Sequence, residues 1–392
     1  MKHNALRRTA ASVIGLVFVA SGLLKMLDVT GTGLIVSEYF KFFHLGGLTG
    51  ISKATAVILC LVETLTGAAL LTGVFRKLTA IIASALTLGF TIITLILLIK
   101  NPQMDCGCFG EAVHLTHLQS FLKNIVLLLL CLLAFLPFKE FGEPKNHRKV
   151  AFWIAAVSIA LASFYSATHL PALDFTDFRP GAQLYASLDN DYQAMDGYYA
   201  AYIYEKDGQK GSFTLDRLPD STWTFVKVDT VYRNSTPLDR PAPILSFTDD
   251  EGNYRDEDAV IGKVMLISVY NPEKCDWMRL NVMLNTLSET DIRPLILINT
   301  APGSSIYIPS NVAFFYADYK TLITLNRANG GATFLADGEI ARKWRPADFP
   351  SIQKLNRISR ADVTDTQIKS VTPGRIRAEG FALYLLAVLI FL

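Results

Sequence analysis

Five runs of apolar residues, at about 9–27, 54–75, 77–99, 117–137 and 149–168, constrain this chain more than any other feature. A helix needs about 20 residues to cross the hydrocarbon core of a bilayer, and each run supplies that length. Inside lipid the backbone amides have only one another as partners, so runs of this kind fold as helices. The first part of the chain is therefore expected to be an α-helical polytopic membrane bundle. A sixth run at 379–392 is shorter, and predicts a C-terminal helix whose crossing is incomplete. The first run has the basic start of a secretory signal, but Lys25 and Asp28 end it and no small-residue cleavage site follows, so a retained helix is expected.

The charges between the runs give an orientation. Lys2, Arg7 and Arg8 precede the first run, Arg76 and Lys77 separate the second from the third, and Lys139, Lys145, Arg148 and Lys149 separate the fourth from the fifth. Basic residues accumulate on the cytoplasmic side of bacterial inner (cytoplasmic) membranes. That rule makes the N-terminus cytoplasmic, and it puts the loop after the third run and residues of about 170–377 on the extracytoplasmic side. The formal net charge is only +2 and the basic residues form no patch interleaved with aromatics, so no nucleic-acid partner is expected.

The organisation that follows is multi-domain. Residues 1–137 read as a four-helix transmembrane domain. Residues 138–169 are a cytoplasmic loop and a fifth transmembrane helix, 170–241 an extracytoplasmic β-rich segment, 242–376 an α/β domain, and 377–392 the C-terminal helix. The loop at 28–53 carries Tyr39, Phe40, Phe42 and Phe43 beside Lys41 and His44, an amphipathic stretch suited to the lipid interface. Tyr198–Tyr204 and Gly211–Leu215 flank Asp207-Gly208 and predict a hairpin. Ile244–Phe247 reads as a strand before the turn at 249–253. Val264–Tyr270 and Pro294–Ile298 read as buried strands with a helix over 276–289 between them. Ala332–Ala336 and Ile340–Trp344 form a second hairpin across Asp337-Gly338.

The best clue to chemistry is Cys106-Gly107-Cys108-Phe109-Gly110, between the third and fourth runs. Two thiols one residue apart close into a small strained ring, and strained disulfides are the exchange-prone ones. Gly107 lets the chain curl between the sulfurs and Gly110 lets it turn back toward the membrane, with Phe109 between them. Redox exchange, a structural staple and metal binding are the three readings. The last needs His114 and His117 to complete a tetrahedral set, and no metal is assigned. Those histidines also stand where a cation lowers a thiol pKa, or where a side chain caps the fourth helix, a role for which Thr116 is the stronger candidate.

Ionisable groups inside a membrane are costly and face a bundle interior or a polar cavity. Lys25 and Asp28 end the first run and Glu63 lies within the second, so Lys25 and Glu63 are expected to pair, either as part of a quinone or proton pathway or as a structural ion pair. Cys60 and Cys131 fall inside runs and read as core residues. Cys275 follows the 264–270 strand without a second cysteine nearby, a weak thiol candidate.

Ser21-Gly22-Leu23-Leu24-Lys25-Met26-Leu27-Asp28, a second run holding Glu63 and Gly67, and Cys106-Gly107-Cys108-Phe109-Gly110 together resemble the DoxX-like superfamily, in particular its MauE-like branch, over about residues 8–137. The resemblance implies a four-helix membrane protein linked to disulfide handling or maturation of exported proteins. It also implies Cys106 and Cys108 as the redox pair, with Lys25 and Glu63 as intramembrane polar partners. Residues of about 242–350 resemble a thioredoxin-like domain, through Gly262-Lys263-Val264-Met265-Leu266 and Gly331–Gly338. The C-x-x-C is absent, and Gly331 or Ala332 stands in place of the active-site proline.

The function expected is a membrane-embedded thiol-disulfide redox-associated protein that assists disulfide handling or maturation of exported proteins through Cys106 and Cys108, acting on extracytoplasmic protein thiols or disulfides, with membrane lipid around it and quinone as a candidate carrier; thiol-disulfide oxidoreductase activity is one form this could take. The alternative is a non-catalytic membrane scaffold whose degenerate thioredoxin-like domain binds an envelope partner. On the first reading, a Cys108→Ala chain is expected to hold Cys106 in mixed disulfides.

Overall fold

The computed structural model describes residues 2–102, 104–136, 144–184, 198–206, 209–213, 219, 222–232, 245–301 and 312–391. The N-terminal helices are α1 (Lys2–Leu27), α2 (Val29–Phe42), α3 (Ser52–Thr72), α4 (Arg76–Lys100), α5 (His117–Phe135) and α6 (Asn146–Thr168). Among the described residues, five segments are long and apolar enough to cross a membrane: Ala5–Leu27, Gly46–Thr72, Arg76–Lys100, His117–Phe135 and Asn146–Thr168. Their outward faces are greasy. Leu88, Ile92, Leu95 and Ile99 of α4, Leu122, Val126 and Leu129 of α5, and Leu161 and Phe164 of α6 are all exposed, a belt at helical spacing that only lipid solvates well.

Between helices the lipid supplies no hydrophobic drive, so close approach depends on small residues. Gly15 of α1 and Gly67 of α3 provide it: a Cβ on Gly67 would stand 2.6 Å from the Gly15 carbonyl oxygen. Val19, Met26, Ala68 and Ala69 then pack with Ala151, Phe152, Ala155 and Ile159 of α6. On the other side Ile14 and Phe18 meet Ala83, Leu127, Cys131 and Ala134.

The segment 28–53, expected as a loop, is largely helical. Its first half, from Val29 to Gly33 with Ile35 and Val36, is buried, and Val29 and Val36 pack with Ala56 and Cys60 of α3. Thr30-Gly31-Thr32-Gly33 is a poor helix former, and burial together with the Asp28 cap overrides that weak propensity. The aromatic end runs into a 3₁₀ turn at Gly46–Ile51, where Phe43, Leu45, Leu48 and Ile51 are exposed.

The C-terminal half contains two sheets. β1 (Tyr198–Lys206), β2 (Gln209–Phe213) and β3 (Thr224–Tyr232) form an antiparallel sheet of order β2-β1-β3. The expected first hairpin is present with Lys206 opposite Gln209; its Asp207-Gly208 turn and Thr214-Leu215 lie outside the described residues. The second sheet belongs to an α/β domain. Its elements are α7 (Glu257–Val260), β4 (Lys263–Val269), α8 (Trp277–Ser288), β5 (Arg293–Ile298), β6 (Ala313–Tyr316), α9 (Tyr319–Leu325), β7 (Gly331–Ala336), β8 (Glu339–Trp344) and α10 (Ile352–Arg360).

The strand order is β6-β5-β4-β7-β8, with β4, β5 and β6 parallel and β7 antiparallel to both β4 and β8. Central β4 is apolar throughout because both of its faces are covered. Val264 and Leu266 pack with Phe247, Leu322 and Leu335 on one side. Met265, Ile267 and Val269 pack with Leu280, Met283, Leu287 and Trp344 on the other.

Three expectations change. Leu245–Phe247 is not a strand: Phe247 fills the core, and Thr248 makes only isolated bridges to Tyr254 and Tyr316. Ile244 lies outside the described residues. β6 and α9 are additional elements. The C-terminal helix α11 (Val363–Phe391) begins well before residue 377 and continues through Pro373. Its Leu385, Val388 and Leu389 join the α3–α6 core of the bundle, although it is not among the five segments both long and apolar enough to cross a membrane.

Candidate functional site

The loop between α4 and α5 begins at Asn101 in the left-handed region and ends at the Thr116 cap of α5. There the Thr116 hydroxyl accepts from Gln119 N while the Gln119 side chain accepts from Thr116 N. Within it Gly107 and Gly110 both have φ of +61°, a conformation that costs L-residues energy, and Gly110 N donates to Gly107 O. A Cβ on Gly107 would lie 2.5 Å from Ile35 Cγ2, so side-chain space as well as backbone requires glycine there. Phe109 lies under Lys123, whose Nζ is 4.8 Å from the ring centroid.

The loop is tied down through its carbonyls. The Tyr39 hydroxyl donates to Cys106 O at 2.7 Å. Burial, aided by the neighbouring thiols, pushes that phenol above its ordinary pKa and keeps it a donor. Ser21 Oγ lies 2.7 Å from Cys108 O and 2.8 Å from Glu63 Oε2, sharing one proton between them, and it accepts from Lys25 Nζ at 3.0 Å. Lys25 and Glu63 form the expected pair, 2.6 and 2.7 Å from Nζ to the two carboxylate oxygens, with side chains 3% and 0% exposed. The Lys25 Nζ thus donates to both Glu63 carboxylate oxygens and to Ser21.

The sulfurs are unequal. Both are free thiols, but Cys106 is 6% exposed whereas Cys108 is half-buried. Cys106 Sγ is 3.0 Å from His117 Nδ1, and His117 Nε2 is 3.0 Å from Pro102 O. A carbonyl can only accept, so Nε2 carries the hydrogen, and in the neutral ring the Nδ1 lone pair faces the thiol. The Ser120 hydroxyl is fully buried with no hydrogen-bond partner among the described residues, and it favours the thiolate of the same sulfur. Burial pushes the Cys106 thiol up, Ser120 and Lys123 work against that, and Cys108 and Asp105 add to it.

His114 does not reach the thiols. It pairs with Asp105 at 3.3 Å, both groups about half exposed. Asp28 caps α2 through Gly31 N, and it also receives Arg327 from the α/β domain, with Nε and Nη2 at 2.9 and 2.7 Å from Oδ2. Glu111, one residue after Gly110, stands 3.4 Å from the same guanidinium. Burial works against the Arg327 cation, but Asp28 and Glu111 outweigh it, so the guanidinium is held above its ordinary pKa. Burial raises the Glu111 carboxyl despite the cation. Asn326 positions this arginine by bonding Ala332 O and Trp344 O, and the Arg327 carbonyl accepts from Tyr270.

Cys60 is buried in α3, and Cys131 donates to Thr87 Oγ1 from within the bundle. Cys275 precedes the Asp276 cap of α8, beside Gly330. Sequence reasoning did not single out Ser120, Glu111 or Arg327. Glu111 had a signal, an acid directly after the loop glycine, whereas Arg327 sits in a polar turn with nothing to mark it.

Five apolar helices around this loop define a multi-pass membrane protein. Residues 4–137, which include the loop, match the family model described as methylamine utilisation protein MauE. Residues 198–233, the three-stranded sheet, match a domain of unknown function, DUF8463. No curated protein and no solved structure matches the chain significantly.

Proposed function

We propose that this protein is a thiol-disulfide exchange protein of the bacterial inner membrane, with Cys106 and Cys108 as its redox pair. The reading rests on one observation, the 3.0 Å contact of Cys106 Sγ with a His117 ring whose other nitrogen is held by Pro102 O. A thiol beside an oriented imidazole is the arrangement that produces a reactive thiolate. The charge distribution supports a cytoplasmic N-terminus, with the cysteine loop and the α/β domain on the extracytoplasmic side, where protein disulfides persist. The bundle is read as DoxX-like and the α/β domain as thioredoxin-like, with parallel β4 and β5 joined through α8 and followed by the β7–β8 hairpin. That domain contributes docking, because Cys275 has no neighbouring cysteine in sequence. Domain limits near 137, 169 and 241 follow from the same reading.

The partners are thiols or disulfides of exported proteins. Exchange runs through a mixed disulfide between partner and protein. Thiol trapping in intact cells tests it: Cys106 and Cys108 are expected to shift between reduced and oxidised forms as the growth medium is made reducing or oxidising. A pair locked in one state under both conditions overturns the proposal and favours the scaffold reading.

A further inference from the structure

The two thiols differ in what surrounds them, and that difference assigns them different tasks. Cys106 is buried and its sulfur touches His117 Nδ1, the unpartnered Ser120 hydroxyl favours its thiolate, and its own carbonyl is held by Tyr39. Cys108 is the more open of the two, and only its carbonyl is tied, through Ser21. Ser120 is an unusual residue to find there, since a fully buried hydroxyl without an oxygen or nitrogen partner costs stability unless the adjacent sulfur uses it.

We propose that Cys108 is the thiol that meets the disulfide of an exported protein, and that Cys106 is the resolving thiol, with His117 as its base and Ser120 as the donor that holds its thiolate. The assignment rests on the exchange reading above, and the order of exposure reverses the expectation that Cys106 is the sulfur trapped by partners.

The chemistry balances without a further reagent. The Cys108 thiolate attacks one sulfur of the partner disulfide, forming a Cys108–partner mixed disulfide and expelling the other partner sulfur as a thiolate, which takes the proton Cys108 gave up. Cys106 then passes its proton to His117 Nδ1 and attacks Cys108 Sγ. The Cys106–Cys108 bond forms, the Cys108–partner bond breaks, and the second partner thiolate leaves with the proton held by His117. The protein dithiol loses two electrons and the partner disulfide gains them. Burial that keeps Cys106 protonated suits this order, because the resolving thiol stays silent until the imidazole beside it accepts the proton. The charged and titratable groups around the Cys106 sulfur are His117, Tyr39, Asp105, Lys123 and Cys108.

The test uses the full chain in lipid nanodiscs with glutathione disulfide as the probe, and adducts assigned by peptide mass. In Cys106→Ala, Cys108 is expected to accumulate a stable glutathione adduct. In Cys108→Ala, Cys106 is expected to be modified at least about tenfold more slowly. In His117→Gln with both cysteines present, the Cys108 adduct is expected to persist, its conversion to the internal disulfide slowed about 100-fold, and Ser120→Ala is expected to slow the same step less. Faster modification of Cys106 than of Cys108 overturns the assignment while leaving thiol exchange intact. No modification of either cysteine overturns the exchange reading itself.

Discussion

Two loops of this molecule place a cysteine against a glycine of positive φ, and they differ in everything else. In the bundle, Gly107 at φ +61° separates two thiols, one of which touches an oriented imidazole. In the α/β domain, Gly330 at φ +72° lies beside Cys275, whose thiol is pushed up to about 11, first by burial and then by Asp276. The second loop is otherwise well built: the Asn329 side chain holds both backbone groups of Asn271, its Oδ1 accepting from Asn271 N at 3.0 Å and its Nδ2 donating to Asn271 O at 2.7 Å. Among the described residues it brings neither a second sulfur nor an imidazole to the thiol. Reactivity in a thiol therefore follows from its neighbours, and a well-ordered turn alone does not supply it.

The contrast is broken most completely by removing the thiols. A Cys106→Ala, Cys108→Ala chain is expected to lose all mixed disulfides with exported proteins on non-reducing gels, while Cys275→Ala leaves them unchanged. Adducts that vanish with Cys275 alone would invert the two loops.

Next in size is the arginine that joins them. Arg327→Ala leaves Asp28 buried without its cation, a loss of about 3–5 kcal/mol in reversible unfolding of the full chain in mixed micelles. Lys320→Ala removes an exposed contact to Glu38 and is expected to cost less than about 1 kcal/mol in the same assay.

A smaller effect separates the glycines. Gly107→Ala adds a methyl 2.5 Å from Ile35 Cγ2 to the backbone penalty of about 1–2 kcal/mol. Gly330→Ala meets the Cys275 sulfur at 3.4 Å and is expected to cost the backbone penalty alone. The same unfolding measurement compares them, and the difference should shrink in an Ile35→Ala background.

Smallest is the titration of Cys275. Because burial disfavours its thiolate, its alkylation by iodoacetamide is expected to climb about tenfold per pH unit up to about 11, whereas an ordinary thiol levels off near 9.0. A plateau near 9.0 would show an unperturbed thiol.

The sequence made the spans legible because lipid demands long uninterrupted apolar runs, and all five fall where expected. The cysteine loop was legible for the same reason, as a polar interruption with two glycines, and so was the Lys25–Glu63 pair, because charges in such runs must find partners. Other features were hidden by tertiary effects. α2 carries Thr30-Gly31-Thr32-Gly33, which has no helical signal until α3 covers it. α11 contains Pro373, which ordinarily ends a helix, so only its apolar end was visible. Ser120 resembles any small residue in a span, and only its place one turn along α5 from His117, against Cys106, gives it meaning. Arg327 was invisible because its partners lie far away along the chain.

That distance carries a consequence for the order of assembly. Asp28 and Arg327 are 299 positions apart, and the guanidinium is presented by Asn326, whose amide bonds backbone at β7 and β8. The clasp on the cysteine loop therefore closes only after the last two strands of the α/β sheet have zipped together. Until then Asp28 and Glu111 lack the cation that joins them, although every residue of the loop has long been synthesised. Contacts of such long separation are late ones in folding. The junction between the two halves of the chain is thus completed by a residue encoded 299 positions after its partner.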